Sequence, residues 1–275
     1  MEELYVFGTG NAQATRCYNT CFAIKDGDEF FMVDAGGGNG ILGILEKMNV
    51  DMAHIHHIFV THEHTDHVAG LTTIMKRHAI PLYASAPTLS VLKEKLPVIQ
   101  GPCFLLTHGE QVDIGTLSVT PFATSHDAVA SVGYAVAAGG RRMALATDLG
   151  SVSAAVYRGV AGTDLLICET NHDVDWLRSG PYPYPLQQRI LGDRGHLSNE
   201  AGAELAAWAA AQGTKILILA HLSRENNTAA RARQTVERKL RTYGLEPGQD
   251  VTVTVAGPDE PGPVFELEEK EAALW

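Results

Sequence analysis

The chain has little cysteine, little positive charge and no long apolar runs. Only four cysteines occur among 275 residues: Cys17, Cys21, Cys103 and Cys168. Their spacing matches no CxxC metal ribbon, and so few do not make a disulfide framework. A chain of this length can bury a full core without such staples. No uncharged apolar stretch reaches about 18 residues, which excludes a membrane-spanning helix. The opening Met1-Glu-Glu-Leu-Tyr-Val-Phe-Gly8 has neither a basic n-region nor a long apolar h-region. No signal peptide is read there, and a cytoplasmic location with reduced thiols is expected. Basic residues number 21 against 32 acidic ones, a net charge of −11. That balance argues against passive, surface-wide binding of nucleic acid. It is compatible with a nuclease whose bound metal ions supply local positive charge. Low-complexity segments, internal repeats and long linkers are missing too, so a single domain over 1–275 is expected.

What the chain does have is an alternation of apolar strands and amphipathic helices. Strands are read at Leu4–Phe7, Thr20–Ile24, Phe30–Val33, Ile58–Thr61, Leu117–Phe122, Gly133–Val136, Met143–Thr147, Leu165–Glu169, Lys215–Ala220 and Val251–Ala256. Helices are read at about 40–48, 70–78, 87–95, 199–212 and 226–242. Ser198 suits a helix N-cap, Glu200 a first turn and Gly213 a stop. Gly36-Gly-Gly-Asn-Gly40 reads as a strand-to-helix turn, because its spacing is not that of a phosphate cradle. Ser179–Pro185 carries three prolines in five residues and reads as a loop. Beyond Gly257 the chain is Pro-rich and then acidic, with a closing strand expected at Pro263–Leu267 before a frayed tail. The pattern is α/β.

The twelve histidines carry the chemistry. Thr61-His62-Glu63-His64-Thr65-Asp66-His67 directly follows an apolar strand. Three imidazoles and two carboxylates so close together would be costly to bury unpartnered. Neutral imidazole and carboxylate are the ligands of Zn²⁺ and similar divalent ions. HxHxDH therefore reads as one pair of ligands for one metal and a second pair for a neighbour. Three later strands also end in a candidate ligand: His126, Asp148 and His221. Ligands of open α/β sheets gather at the carboxyl ends of strands. One such histidine alone would read as a capped surface residue; the constellation reverses that reading.

HxHxDH followed by His, Asp and His in this order resembles the metallo-β-lactamase fold. Ser125-His-Asp-Ala128, Thr147-Asp-Leu-Gly150, Glu169-Thr-Asn-His-Asp173, Gly195-His-Leu-Ser-Asn199 and His221-Leu-Ser-Arg-Glu-Asn-Asn227 resemble the YycJ/WalJ family within it, the phosphodiesterase branch near ribonuclease Z. The likeness covers roughly residues 28 to 256. At the amino end, Gly8-Thr-Gly-Asn-Ala-Gln-Ala-Thr-Arg-Cys17 departs from the Ser/Gly-rich opening of that family. The resemblance implies a four-layer αββα sandwich with the site at one edge. It implies that His62, His64 and His126 hold one ion, that Asp66, His67 and His221 hold a second, and that Asp148 bridges both. Two ions about 3.5–4 Å apart clamp a phosphodiester and activate a water. Asp66 orients that water, and His196 contacts phosphate and assists the leaving group. The ions would be Zn²⁺ or Mn²⁺, with Fe²⁺ also accepted by such a site.

The function expected is a binuclear metal-dependent nuclease, acting on DNA rather than RNA and, by resemblance alone, 5′ to 3′. The alternative is a small-molecule phosphodiesterase or lactone hydrolase on the same scaffold, which the acidic charge favours modestly. Oligomeric state is left open, a homodimer included. Asn171, His172 and Asp173 are read either as partners that orient metal ligands or as a turn, with His172 the best candidate. Arg224 with Asn226 and Asn227 is read as a substrate rim or a helix cap. His54, His56, His57, His78 and His108 are read as surface residues, and Cys168 as core.

Overall fold

The structure, a computed structural model, describes residues 2–8, 21–99, 101–256 and 261–267. The first sheet holds β1 (Glu2–Gly8), β2 (Cys21–Asp26), β3 (Glu29–Val33), β4 (Ile55–Phe59), β5 (Leu82–Ala84) and β6 (Cys103–Leu105). The second holds β7 (Val112–Ile114), β8 (Leu117–Ala123), β9 (Val132–Ala138), β10 (Arg141–Ala146), β11 (Leu165–Glu169), β12 (Ile216–Ala220) and β13 (Thr252–Val255). The last strand, β14 (Val264–Leu267), returns to the first sheet. The strand orders are β14-β1-β2-β3-β4-β5-β6 and β13-β12-β11-β10-β9-β8-β7. Each sheet has an antiparallel part and a parallel part, β3 to β6 in one and β10 to β13 in the other.

Helices α1 (Gly40–Lys47), α2 (Thr65–Val68), α3 (Leu71–Met75) and α4 (Ala86–Lys95) follow strands of the first sheet. Helices α5 (Ala154–Val160), α6 (Val174–Ser179), α7 (Tyr184–Leu191), α8 (Asn199–Ala211) and α9 (Ala229–Thr242) belong to the second half. Three apolar layers hold the sandwich together. One lies between the sheets, with Phe22, Phe31 and Phe59 facing Val119, Tyr134 and Ile167. The others lie under the helices: Ile41, Leu71 and Leu89 outside the first sheet, Leu205, Val236 and Leu240 outside the second. The result is αββα. No helix among the described residues is long and apolar enough to cross a membrane.

Local sequence explains the elements that position the site. β11 is Leu-Leu-Ile-Cys-Glu and is buried throughout, as a parallel strand covered on both faces must be. β8 alternates buried and partly buried residues along most of its length. In α8, Ser198 Oγ accepts from Ala201 N at 3.2 Å, Glu200 stands in the first turn, and Gly213 at φ 112° follows the helix end. Gly202 lets that helix sit against the end of β11, since a Cβ there would lie 2.1 Å from Glu169 O.

The expected strands appear with shifted ends, but β5, β6 and β7 are three residues each and carry too short a period to be read. The short helices α2, α5, α6 and α7 were not expected either. Of the Pro-rich segment expected as loop, Ser179 closes α6 and only Gly180 to Pro183 is loop. Pro185 stands in the first turn of α7, where a missing N–H costs nothing. α9 starts at Ala229, capped by Thr228, not at 226. The expected frayed tail beyond Leu267 lies outside the described residues.

A candidate metal centre at the edge of the sandwich

The carboxyl ends of β3, β4, β8, β10, β11 and β12 meet at one edge, and each is followed by a polar side chain turned into the same cleft or supporting it. Asp34, Asp148 and His221 have φ of 58°, 58° and 60°. Non-glycine residues visit this left-handed region at a cost that the surrounding structure must offset, and such positions cluster at functional sites. Three of the four described non-glycine residues with positive φ stand here, the fourth being Asn49.

Four of the histidines, His62, His67, His126 and His221, share one arrangement. His67 Nδ1 donates to Asp34 Oδ2 at 2.7 Å, His221 Nδ1 donates to Glu169 Oε1 at 2.9 Å, and His126 Nδ1 donates to Gly195 O at 3.1 Å. Thr61 Oγ1 spends its proton on Asp34 Oδ2, so it accepts from His62 Nδ1 at 3.0 Å. Each ring is thereby held by Nδ1 and turns Nε2 to the cleft, where it can take a proton or a metal ion. Ligating histidines are oriented in this way. Nε2 of His62, His67 and His221 and Oδ2 of Asp148 are buried without a hydrogen-bond partner. Buried polar atoms are normally satisfied, so such a convergent set fits a cation.

The donor atoms group as the sequence suggested. His62, His64 and His126 have ligand atoms within 4.8 Å of one another, and so do Asp66, His67 and His221. Asp148 lies between the groups: Oδ1 is 3.7 Å from His126 Nε2 and 3.5 Å from His221 Nε2, and Oδ2 is 3.6 Å from His67 Nε2. The carboxylates pull hard on positive charge. Burial resists protonation of His67 and His221, yet Asp148 with Asp34 pushes His67 up to about 10, and Asp148 with Glu169 pushes His221 up to about 9. Burial likewise resists the charge on Asp148, but the imidazoles around it hold its carboxyl well below the usual range. Burial alone dominates at His62 and pushes it well below the ordinary histidine value.

His196 stands in the same cleft. Its Nδ1 donates to Glu169 Oε1 at 2.7 Å, and its ring is 5.1 Å from that of His126 and 5.0 Å from that of His221. Glu169 therefore ties two histidines, and it also accepts from Leu149 N at 2.8 Å. Burial opposes its charge, but His196 and His221 hold its pKa at about 2. The cleft, about 150 Å³, is walled on one side by Tyr182, Leu186, Arg189 and Ile190 at and near α7. Gly195 brings its loop against that helix, since a Cβ there would lie 2.2 Å from Ile190 O.

Asp34 and Glu169 are the two residues that sequence reasoning did not single out. Both directly follow or end apolar strands, the same signal that pointed to Asp148 and His221. Asn171 orients His221, donating from Nδ2 to His221 O at 2.7 Å. Asp173 is structural: it caps α6 through Trp176 N at 3.0 Å and pairs with Arg231 at 2.5 Å. His172 is buried with neither ring nitrogen hydrogen-bonded, so it orients no ligand. The rim reading of Asn226 and Asn227 is corrected. Both are buried, and Asn227 Nδ2 holds Thr170 O at 2.9 Å and Asn171 O at 3.0 Å. Neither caps α9, since Thr228 does. Apart from Gly8, the opening segment through Cys17 lies outside the described residues. His54, His56 and His108 are exposed and His78 half-buried, while His57 stacks on Phe31 at 5.0 Å. Cys168 is core.

A family model described as a β-lactamase superfamily domain matches residues 31–222. The chain is 34% identical over 250 residues to exodeoxyribonuclease WalJ of Streptococcus pneumoniae, covering 90% of this chain and 93% of that one. It is 33% identical over 234 residues to exodeoxyribonuclease YycJ of Bacillus anthracis, covering 84% and 88%. Among solved structures, the metallo-β-lactamase fold protein YhfI of Bacillus subtilis matches with a TM-score of 0.75 at 19% identity, covering 96% of this chain and 98% of that one.

Proposed function

Because the chain belongs to the β-lactamase superfamily and, within it, to the family of the WalJ and YycJ exodeoxyribonucleases, we propose that it is a metal-dependent exonuclease that shortens DNA from the 5′ end. The observation that carries this reading is the set of Nδ1-tethered imidazoles aiming buried, unpartnered Nε2 atoms around Asp148. His62, His64 and His126 would hold one divalent ion and Asp66, His67 and His221 a second, with Asp148 shared. Zn²⁺ and Mn²⁺ suit these ligands, and Fe²⁺ is accepted by the same chemistry. When bound, the ions supply Lewis-acid polarisation of the phosphodiester and a water of lowered pKa.

The protein's own groups do the rest. Asp34, Glu169, Thr61 and Gly195 fix the rings, so the donor atoms need no rearrangement as substrate arrives. Asp66, half-buried beside the cleft, orients the attacking water through its carboxylate. His196 has Nδ1 committed to Glu169, and when the ring is doubly protonated its Nε2–H contacts phosphate, passes that proton to the departing oxygen and leaves the neutral ring still donating from Nδ1.

The test is cleavage of end-labelled single- and double-stranded DNA and RNA by the metal-loaded protein, with Asp148→Ala as control. Stepwise loss from the 5′ end of DNA by the parent alone supports the proposal. Loss from the 3′ end overturns its polarity. Inertness toward every polymer, with both metals retained, overturns the nuclease reading. The small cleft and net charge of −11 favour a small phosphodiester or lactone in that event.

A further inference from the structure

Two adjoining hollows lie on the second sheet beside the cleft and together outline a groove. Its first stretch, about 440 Å³, starts at Ser125 and His126 and is lined by Arg194 and His108. Its second, about 330 Å³, shares His108 and Ala123 with the first and is lined by Arg142 and Arg158. No aspartate or glutamate lines either stretch. In a chain with 32 acidic and 21 basic residues, that is a local inversion of charge.

The cations are set up to meet an anion. Arg194 is held by backbone carbonyls, with Nε on His126 O at 2.9 Å and NH2 on Ala128 O at 3.0 Å. Arg142 is held in the same way, with NH1 on Ala161 O at 2.8 Å and NH2 on Gly159 O at 3.2 Å. Carbonyl partners fix a guanidinium without neutralising it, whereas a carboxylate would cancel its charge. Arg158 is exposed at the far end and forms no ion pair with a described residue. Between them, the hydroxyls of Ser125, Ser131 and Ser153 and several alanines leave room for a sugar–phosphate chain. His126 lines both the cleft and the nearer hollow.

We propose that this groove carries the polynucleotide strand away from the catalytic cleft, with successive phosphates passing Arg194, His108 and Arg158. The inference rests on the exonuclease reading, and it adds where the uncut strand lies. It also reconciles a nucleic-acid substrate with an acidic protein, because the contact is one confined track.

The test is an Arg158→Glu, His108→Glu double variant, which leaves the cleft untouched. Metal-loaded parent and variant are compared on bis(p-nitrophenyl) phosphate and on single-stranded DNA of about 4, 12 and 24 nucleotides, at several salt concentrations. In the parent, kcat/KM should rise with length. The variant should lose at least about tenfold on the longest strand, lower its salt slope by about one, and keep its rate on the small ester within about twofold. An unchanged length dependence and salt slope overturn the groove alone. A parent that hydrolyses the small ester but no oligonucleotide of any length overturns the exonuclease reading, and the groove proposal with it. A variant slowed equally on ester and polymer also overturns the groove proposal, since the loss would then be general.

Discussion

Replacing Asp34 with asparagine should cost metal affinity without breaking the fold. Asparagine is among the residues best tolerated at a φ of 58°, so the turn after β3 survives. Its carbonyl can still accept from Thr61 N, now at 2.8 Å from Oδ1. The amide nitrogen then takes the place of Oδ2, where His67 Nδ1 now donates at 2.7 Å. Two donors cannot face each other there. Either His67 Nδ1 is left unsatisfied, or the ring shifts its proton to Nε2 and loses the lone pair that would bind metal. Loss of such an orienting partner typically weakens metal binding by about 10–100-fold. That is about 1.4–2.7 kcal/mol. The loss should fall first on the ion proposed for Asp66, His67 and His221. It should reach the His62 set more weakly, because Thr61 Oγ1, which gives its proton to Asp34 Oδ2 and accepts from His62 Nδ1, loses the same acceptor. Competition with a chromogenic chelator, titrated to both equivalents, reads it directly. Asp34→Ala serves as the strained counterpart, since alanine at this φ also destabilises the turn. Two equivalents bound with parental affinity by a folded Asp34→Asn protein would refute the role given to this carboxylate.

Three further outcomes are expected. His196→Ala should keep both metals yet lose about 10²–10⁴-fold in turnover, the range of general acid catalysis, measured on a phosphodiester beside a metal analysis; full turnover would remove His196 from the mechanism. Gly202→Ala sets a Cβ 2.1 Å from Glu169 O, a backbone atom that cannot swing aside. It should cost about 1–3 kcal/mol in chemical denaturation, and a parental midpoint would contradict the packing described. The third concerns pH. His67 and His221 have folded values of about 10 and about 9, above their unfolded 6.5. Their contribution to stability is therefore complete below pH 6.5 and is lost as pH rises through 9 to 10. Chelator-treated protein should lose Tm over that window more steeply than metal-loaded protein, whose imidazoles bind metal instead of protons. Parallel Tm curves would count against it.

Much of the centre was legible because its residue types are expensive to bury and stand at strand ends. HxHxDH, His126, Asp148 and His221 could be read without coordinates, and the structure brings all of them to one cleft. Asp34 and Glu169 were not singled out because a lone acidic residue after a strand is ambiguous until its partner is known. Those partners, His67 and His196 or His221, are 33, 27 and 52 residues away. Asn226 and Asn227 failed as a rim for the converse reason. Polar residues near a ligand look exposed in sequence, yet both are buried, and Asn227 takes the place of backbone pairing inside the structure. The strands β5 to β7 were missed because three residues carry no usable period, and tertiary pairing alone makes them strands. The wall formed by α7 was hidden behind prolines that read as loop.

The two sheets contribute separately to the cleft. His62, His64, Asp66 and His67 follow β4 of the first sheet, and His126, Asp148 and His221 follow β8, β10 and β12 of the second. Any cation shared among them is a rivet between halves that are otherwise joined by apolar contact. Ligands up to 159 positions apart in sequence, His62 to His221, would be drawn together by it. The unfolded chain offers no such pocket, so metal supply adds directly to the folding equilibrium. Scarcity of metal would then lower the amount of intact protein as well as its activity, and the folded population would itself report on the cell's metal supply.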